Sequence, residues 1–296
     1  MSQSEIILIR HGQANTGAKD EESYDKLSAT GHQQSAWLGD YLRAQDTAFD
    51  RVICGDLRRH QETAAGLALS QSIAIDPRVN ELRYFDLARE YQAQTRKPLP
   101  SSAEEFAQHV PELFTAWHAG RLDGAHESYR SFADRFGQVM SELTELGDRS
   151  LVITSGGVIG MAIAQHLSLG PEGFAQVMLP IHNSSIHRFS IAQGATQMAS
   201  YNGTPHLDAA DRRHAAGCGK HHIRAGRIEV LSPTVFYAGG TLVVVRHRSG
   251  LARLPRHDRL VLVVDDDWHG GIRDRSLPWA YRLKLATNEW REALLL

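Results

Sequence analysis

The sequence predicts an α/β fold, a three-layer α/β/α sandwich around a mostly parallel sheet, with a small C-terminal α/β segment after it. Three observations carry this. Short apolar runs of strand length alternate with longer stretches whose apolar residues recur every three or four positions. The first run, Ile6-Ile7-Leu8-Ile9, is apolar at every position, as a parallel strand buried on both faces must be. At 296 residues, with 42% hydrophobic and 22% charged residues, the chain has ordinary globular composition and enough length for a large core.

In chain order the strands are expected at Glu5 to Arg10, Arg51 to Gly55, Ile73 to Ile75, Leu151 to Thr154, Ser185 to Ile191 and Thr196 to Tyr201. Helices are expected near Gly31 to Arg43, Leu57 to Leu69, Ala103 to His118, Tyr129 to Leu146 and Val158 to Leu167. The fourth is the clearest: Phe132, Phe136, Val139, Leu143 and Leu146 form one stripe, and Ser128 stands where a side-chain oxygen caps the first turn. The stretch from Arg89 to Ala125 has few strand signals and contains Lys97-Pro98-Leu99-Pro100. It reads as a lid over a site, or else as an excursion packed on one edge, with Arg89 and Arg96 as possible substrate contacts or as solvated surface.

The first strand ends in Arg10-His11-Gly12, at the carboxyl edge where open α/β sheets place their ligands. These residue types suit phosphate chemistry. A neutral imidazole attacks phosphorus, a guanidinium holds two phosphate oxygens in its fork, and glycine admits close backbone approach.

Other blocks follow in a fixed order: Leu27-Ser28-Ala29-Thr30-Gly31-His32-Gln33-Gln34-Ser35-Ala36, then Cys54-Gly55-Asp56-Leu57-Arg58-Arg59-His60-Gln61-Glu62-Thr63-Ala64, then Val79-Asn80-Glu81-Leu82-Arg83, then His126-Glu127-Ser128 with Arg135, then Leu151-Val152-Ile153-Thr154-Ser155-Gly156-Gly157. Together, over about residues 4 to 214, they resemble the histidine phosphatase superfamily, the phosphoglycerate mutase-like proteins. The second block is similar to that family's S-x-L-x-R-A-x-x-T-A pattern.

The resemblance implies catalytic roles for His11 as nucleophile and Glu81 as proton donor. It implies phosphate binding by Arg10 and by Arg59, with Arg58 the competitor in the motif register. Gln13, Asn15, Ser155 and Gly156 join them as substrate-binding candidates. One position departs from the family pattern: where the family carries a second histidine before Gly-Gly, this chain has Ser155. A hydroxyl still donates one hydrogen bond but brings no charge. The substitution implies either a slower enzyme, in which Ser155→His raises the rate, or a phosphate-binding module that has lost turnover. His182 is a candidate source of the missing imidazole, or an ordinary surface histidine. Mutase-like phosphotransfer is the remaining reading within the same chemistry.

A net charge of −2 gives no whole-molecule attraction to nucleic acid or anionic membranes, so an anionic substrate must be held by local arginines. Cys54 and Cys218 do not make a disulfide framework. No signal-peptide pattern and no long apolar segment is present. The expectation is a cytoplasmic enzyme acting on a small phosphorylated substrate, with no metal or other cofactor, no nucleic acid and no membrane as partner. Oligomeric state is not encoded in any readable way.

The expected domains are residues 1–214, phosphatase-like, and 215–296, a separate segment. The latter opens on a small, polar linker-like stretch and gives strand-like runs at Arg227 to Leu231, Thr241 to Arg246 and Leu260 to Val264. His214, Cys218, His221 and His222 are metal-ligand types without a zinc spacing and read as linker. Asp265, Asp266 and Asp267 end an apolar run, as metal-binding carboxylates of sugar-transfer folds do and as acidic turns also do. The arginines and histidines from Arg246 to Arg259 lack interleaved aromatics and read as a solvated face. Tyr281 to Leu296 reads as an amphipathic helix whose closing leucines call for a covering domain.

Overall fold

In a computed structural model of the chain the first apolar run forms strand β1 (Glu5–Arg10), inside a sheet whose order is β3-β2-β4-β1-β5-β6. The structure describes residues 4–45, 48–122, 124–209, 211, 212 and 215, and three further strands. Strands β2 (Arg51–Cys54), β3 (Ile73–Ile75) and β4 (Arg149–Thr154) run parallel to β1, which pairs Glu5–Arg10 with Arg149–Thr154 in register. Strands β5 (Ile186–Ala192) and β6 (Ala195–Gly203) complete one edge as an antiparallel hairpin, β5 antiparallel to β1.

The alternation of side chains along β1 divides the core in two. Ile7 and Ile9 face helices α2 (Ala29–Ala44) and α3 (Arg58–Leu67) through Leu38, Leu42, Ala64 and Leu67. Ile6 and Leu8 face the opposite layer. That layer holds α4 (Tyr84–Thr95), α5 (Ala103–His118), α6 (Tyr129–Leu146), α7 (Gly156–His166) and α8 (Pro171–Met178). A single turn, α1 (Glu21–Tyr24), lies in the loop after β1. The three-layer architecture is the one the alternating pattern predicts.

Expected and observed elements differ mainly at their ends. Helices α5 and α6 span the expected residues, while β4 begins two residues earlier than its apolar run. On α6, Phe132, Phe136, Val139 and Leu143 are buried as expected, but Leu146 is exposed because the helix stops there at Gly147, whose φ of 64° breaks the turn. The segment read as strand-poor is helical over α4 and α5. Ser102 and Glu105 form a reciprocal capping box at the start of α5, and Pro111 is accommodated inside it.

In the C-terminal segment β7 (Thr234–Ala238), β8 (Thr241–Arg246) and β9 (Leu262–Asp265) are strands, with β8 at the expected residues. β7 and β8 pair antiparallel, β8 and β9 parallel, and β7 meets β6 at Tyr201 and Val235. The expected strand at Arg227 to Leu231, the His214-to-His222 cluster, Asp266, Asp267, the stretch from His247 to Arg259 and the helix from Tyr281 lie outside the described residues. Among the described residues no helix is long and apolar enough to cross a membrane, and no group of three or more His, Cys, Asp or Glu side chains is placed to hold a metal ion.

Candidate active site

Four chain segments deliver the candidates to the carboxyl ends of the parallel strands. His11 follows β1 and its backbone N–H donates to Thr154 O of β4 at 2.8 Å. Arg59 is the second residue of α3, after β2. Glu81 follows a short 3-10 turn at Pro77–Val79, after β3, and Ser155 follows β4.

The turn after His11 requires glycine twice. A Cβ on Gly12 would stand 2.4 Å from Gly31 O, and one on Gly31 would stand 2.1 Å from Gln13 O. This mutual approach seats the turn on the start of α2, whose first turn Ser28 caps by accepting from Gly31 N. Thr63 Oγ1 accepts from Gly12 N at 3.1 Å, and Gln34 Oε1 from Gln13 N at 2.7 Å. Residues of the Leu27–Ala36 and Cys54–Ala64 blocks thereby hold the backbone that follows β1.

His11 is buried. Its Nδ1–H donates to Gly12 O at 2.6 Å, which fixes the tautomer and leaves Nε2 with its lone pair. Burial, followed by the positive charges of Arg59 and Arg10 and then by His60, holds its pKa well below the usual imidazole value. The ring is therefore neutral at physiological pH, as a nucleophile must be.

Arg59 is buried and Arg58 is exposed. Arg59 Nη1 donates to Asp25 Oδ1 at 2.9 Å and its guanidinium lies 5.1 Å from the Tyr24 ring centre, whereas Arg58 pairs with Glu62 on the helix surface. Arg10 Nη1 donates to Ile181 O. The buried Nε atoms of Arg10 and Arg59 have no hydrogen-bond partner among the described residues. Two buried cationic donors so left are matched to an anion with several acceptor oxygens.

Glu81 is tied to the start of α7: its Oε2 accepts from Gly157 N at 3.0 Å and its Oε1 from Leu82 N at 3.0 Å. Arg135 of α6 makes a two-pronged ion pair with Glu127 and donates to Arg78 O and Asn80 O, fixing the backbone just before Glu81. The Glu127-Ser128 and Arg135 block thus serves Glu81 from a distance.

A cavity of about 730 Å³ opens over this edge, walled by Arg10, Gln13, Arg59, Glu81, Gly156 and Gly157 on the sheet side. The opposite wall is apolar and comes from α4, α5 and the segment joining them, through Tyr84, Phe85, Leu99 and Phe106, with Leu179 beyond α8. Arg89 also lines it, paired with Asp86 at 3.2 Å, while Arg96 is exposed. The insertion therefore covers the site rather than packing on an edge.

Two candidates sit differently from the rest. Asn15 donates to Ser23 O at 2.8 Å and accepts from Gly17 N, so its amide braces its own loop. His182 is not a surface histidine. Burial and then Arg10 lower its pKa to about 4, and its backbone N–H donates to Asn202 Oδ1.

Sequence reasoning passed over Asp25, His60 and Glu21. Asp25 caps α3 from outside by accepting from the N–H groups of Arg58 and Arg59. His60 Nε2 lies 2.6 Å from Ser155 Oγ. Glu21 lines the cavity, accepts from Phe85 N at 2.8 Å and has its pKa raised by burial. The signal for His60 was a histidine directly after Arg59, where the S-x-L-x-R-A-x-x-T-A pattern has alanine.

A parallel α/β sheet with a buried neutral histidine and two guanidiniums at one strand edge defines a class of phosphoryl-handling proteins. A sequence model of the histidine phosphatase superfamily (branch 1) matches residues 6–204. The chain belongs to that superfamily and is a phosphatase of its kind. It is 29% identical over 180 residues to the adenosylcobalamin/alpha-ribazole phosphatase of Escherichia coli K12, a match covering 56% of this chain and 81% of the relative. A phosphoserine phosphatase mutant from Entamoeba histolytica, solved with phosphoserine, shares the fold with a TM-score of 0.52 at 20% identity, over 69% of this chain and 98% of that one. A structure described as a putative alpha-ribazole-5'-P phosphatase from Escherichia coli superposes with the same TM-score, identity and coverage.

Proposed function

We propose that this protein hydrolyses a phosphomonoester through a phosphohistidine at His11, and that residues 1–214 form the phosphatase unit. The observation that carries the reading is the state of His11: buried, neutral, with Nδ1–H committed to Gly12 O and Nε2 free, between Arg10 and Arg59. In the first step Nε2 forms a bond to phosphorus as the ester P–O bond breaks, and Glu81 gives its proton to the leaving oxygen. In the second, water forms the new P–O bond as N–P breaks, and Glu81 takes the proton from that water. Arg10 and Arg59 neutralise the equatorial oxygens throughout.

The size and apolar wall of the cavity favour a leaving group with an aromatic or otherwise bulky apolar part over a phosphoglycerate-sized one. The E. coli relative, named for alpha-ribazole, agrees with that direction.

Wild type and His11→Ala are compared on p-nitrophenyl phosphate, with a screen over aromatic phosphomonoesters, sugar phosphates, phosphoglycerates and nucleotides. A rapid quench with mass spectrometry seeks phosphate on His11. Turnover lost by about 1,000-fold or more in His11→Ala, with an adduct on His11 in wild type, is expected. Absence of both turnover and adduct, or undiminished turnover in His11→Ala, overturns the reading.

A further inference from the structure

His60 and Ser155 are both fully buried, and a 2.6 Å contact joins His60 Nε2 to Ser155 Oγ. Helix geometry does not account for that contact. Ser155 holds the N-cap position of α7 with extended backbone, φ −122° and ψ 168°, yet its hydroxyl makes no capping bond. A serine there ordinarily turns its oxygen to the N–H two or three residues on. In this helix Gly157 N is taken by Glu81, and the serine turns to the imidazole instead.

The imidazole stands beside the reaction centre. Its ring centre lies 5.7 Å from that of His11, with the planes tilted by 35°. It follows Arg59 in sequence, and Gly156, after Ser155, lies close enough to Arg10 that a Cβ there would be 3.5 Å from the guanidinium carbon. The ring of the pair thus stands beside the nucleophile and feels the charge of Arg59, and Arg10 lies against the residue that follows Ser155.

Burial and the adjacent Arg59 keep His60 uncharged. A neutral imidazole carries one N–H. On Nδ1, it would oblige Ser155 to donate to Nε2 and would leave Oγ with only lone pairs to offer. On Nε2, it donates to Oγ and frees the hydroxyl hydrogen. Phosphoryl oxygens accept and do not donate, so a bound phosphoryl group selects the second arrangement.

We propose that His60 is a positioning residue for phosphoryl transfer: its Nε2–H holds Ser155 Oγ so that the hydroxyl donates to a non-bridging oxygen of the group being transferred to and from His11. The inference rests on the phosphohistidine reading. Imidazole and hydroxyl fill adjoining parts of one space, so a ring delivered from position 155 can occupy what His60 vacates. It cannot enter while His60 is there. This reverses the expectation that Ser155→His alone raises the rate.

The test is steady-state kinetics on p-nitrophenyl phosphate with wild type, His60→Ala, Ser155→Ala, the double alanine variant, Ser155→His, and His60→Ala with Ser155→His, each with its melting temperature. His60→Ala and Ser155→Ala are each expected to lower kcat about 10- to 100-fold with KM changed less than about threefold, and the double alanine variant to lose no more than either, as two parts of one donor do. Ser155→His alone loses activity. Added to His60→Ala, it regains about tenfold or more, which a purely structural role for His60 would not give. His60→Gln, which keeps an N–H near the Nε2 station, retains more activity than His60→Ala. Unchanged kcat in both single alanine variants, or a folded swap variant no better than His60→Ala, overturns the proposal. Should His60→Ala not fold, Ser155→Ala and His60→Gln decide: unchanged kcat in Ser155→Ala overturns it. Wild type without turnover or adduct removes the underlying reading and this with it, whereas an active wild type with indifferent variants removes this inference alone.

Discussion

Arg59 shows how a single side chain is prepared for an anion. A buried guanidinium is costly unless its charge is met, and here one carboxylate oxygen of Asp25 meets both the side chain and its own backbone N–H, at 2.9 and 3.1 Å. The same carboxylate accepts from Arg58 N, so it also closes the uncapped start of α3, where Leu57 has no side-chain oxygen to offer. One arm of Arg59 is thus fixed, while its buried Nε has no partner among the described residues and is open to the proposed phosphoryl group. Asp25→Asn is expected to weaken both duties: kcat/KM falls about tenfold, inorganic phosphate inhibits less well, and stability drops by about 1.5–3 kcal/mol, the range for a hydrogen bond to a charged group. Kinetics and urea titration measure these; a kcat/KM within twofold of wild type would mean that Arg59 holds its place without Asp25.

At the scale of elements, the close approach of α7 to the segment after β3 sets the position of the proposed acid. The N–H groups at a helix start favour a carboxylate, and Gly157 N supplies one to Glu81. Only glycine permits the approach, since a Cβ on residue 157 would come within 2.1 Å of Glu81 Oε1 and 2.9 Å of Leu82 Cδ2. Gly157→Ala should therefore displace the carboxylate by about an ångström and lower kcat by about 100-fold on substrates with a poor leaving group, with less effect on p-nitrophenyl phosphate, whose leaving oxygen needs less help from an acid. Equal losses on both substrates would contradict a proton-donor role for Glu81. These elements differ in how far the sequence betrays them. β1, α5 and α6 carry dense apolar patterns and strong caps, so their bounds are readable. α4 is not, because only Leu87, Ala88 and Tyr91 are buried along it and its start at Arg83 has no cap, leaving it indistinguishable from a loop. In the site, His11, Arg10, Arg59 and Glu81 sit in ordered motifs, so their meeting at one sheet edge could be expected in advance. Asp25 and His60 act through contacts across 34 and 95 residues, and no local spacing encodes contacts of that range.

For the whole molecule the consequence is a strong dependence of stability on acid. His187 and His206 are buried with pKa values lowered to about 3, and His182 to about 4, in each case by burial first and then by a neighbouring arginine. Two of the neutral rings are hydrogen bonded, with Ser185 Oγ 2.9 Å from His187 Nε2 and Ser184 Oγ 2.8 Å from His206 Nε2, while the buried Nδ1 of His182 has no partner among the described residues. Unfolded, these rings take up protons near pH 6.5; folded, they do not until pH 4 to 3. A folded pKa below the unfolded one means that stability is complete well above pH 6.5 and declines as pH falls towards the folded values. Three such groups imply a loss of about 4 kcal/mol per pH unit between pH 5.5 and 4.5, at about 1.4 kcal/mol per proton. His11 and His60, displaced in the same direction, add to it. Urea denaturation at pH 7.5, 6.5, 5.5 and 4.5 is expected to show a loss of only about 1 kcal/mol over the first interval and to steepen over the last two. His206→Gln, which keeps a polar atom within reach of Ser184, should reduce the slope by about one proton, or about 1.4 kcal/mol per pH unit. An unfolding free energy unchanged from pH 6.5 to 4.5 would show that these rings are protonated in the folded protein, and with that the neutral, buried setting that the same physics assigns to His11 would lose its support.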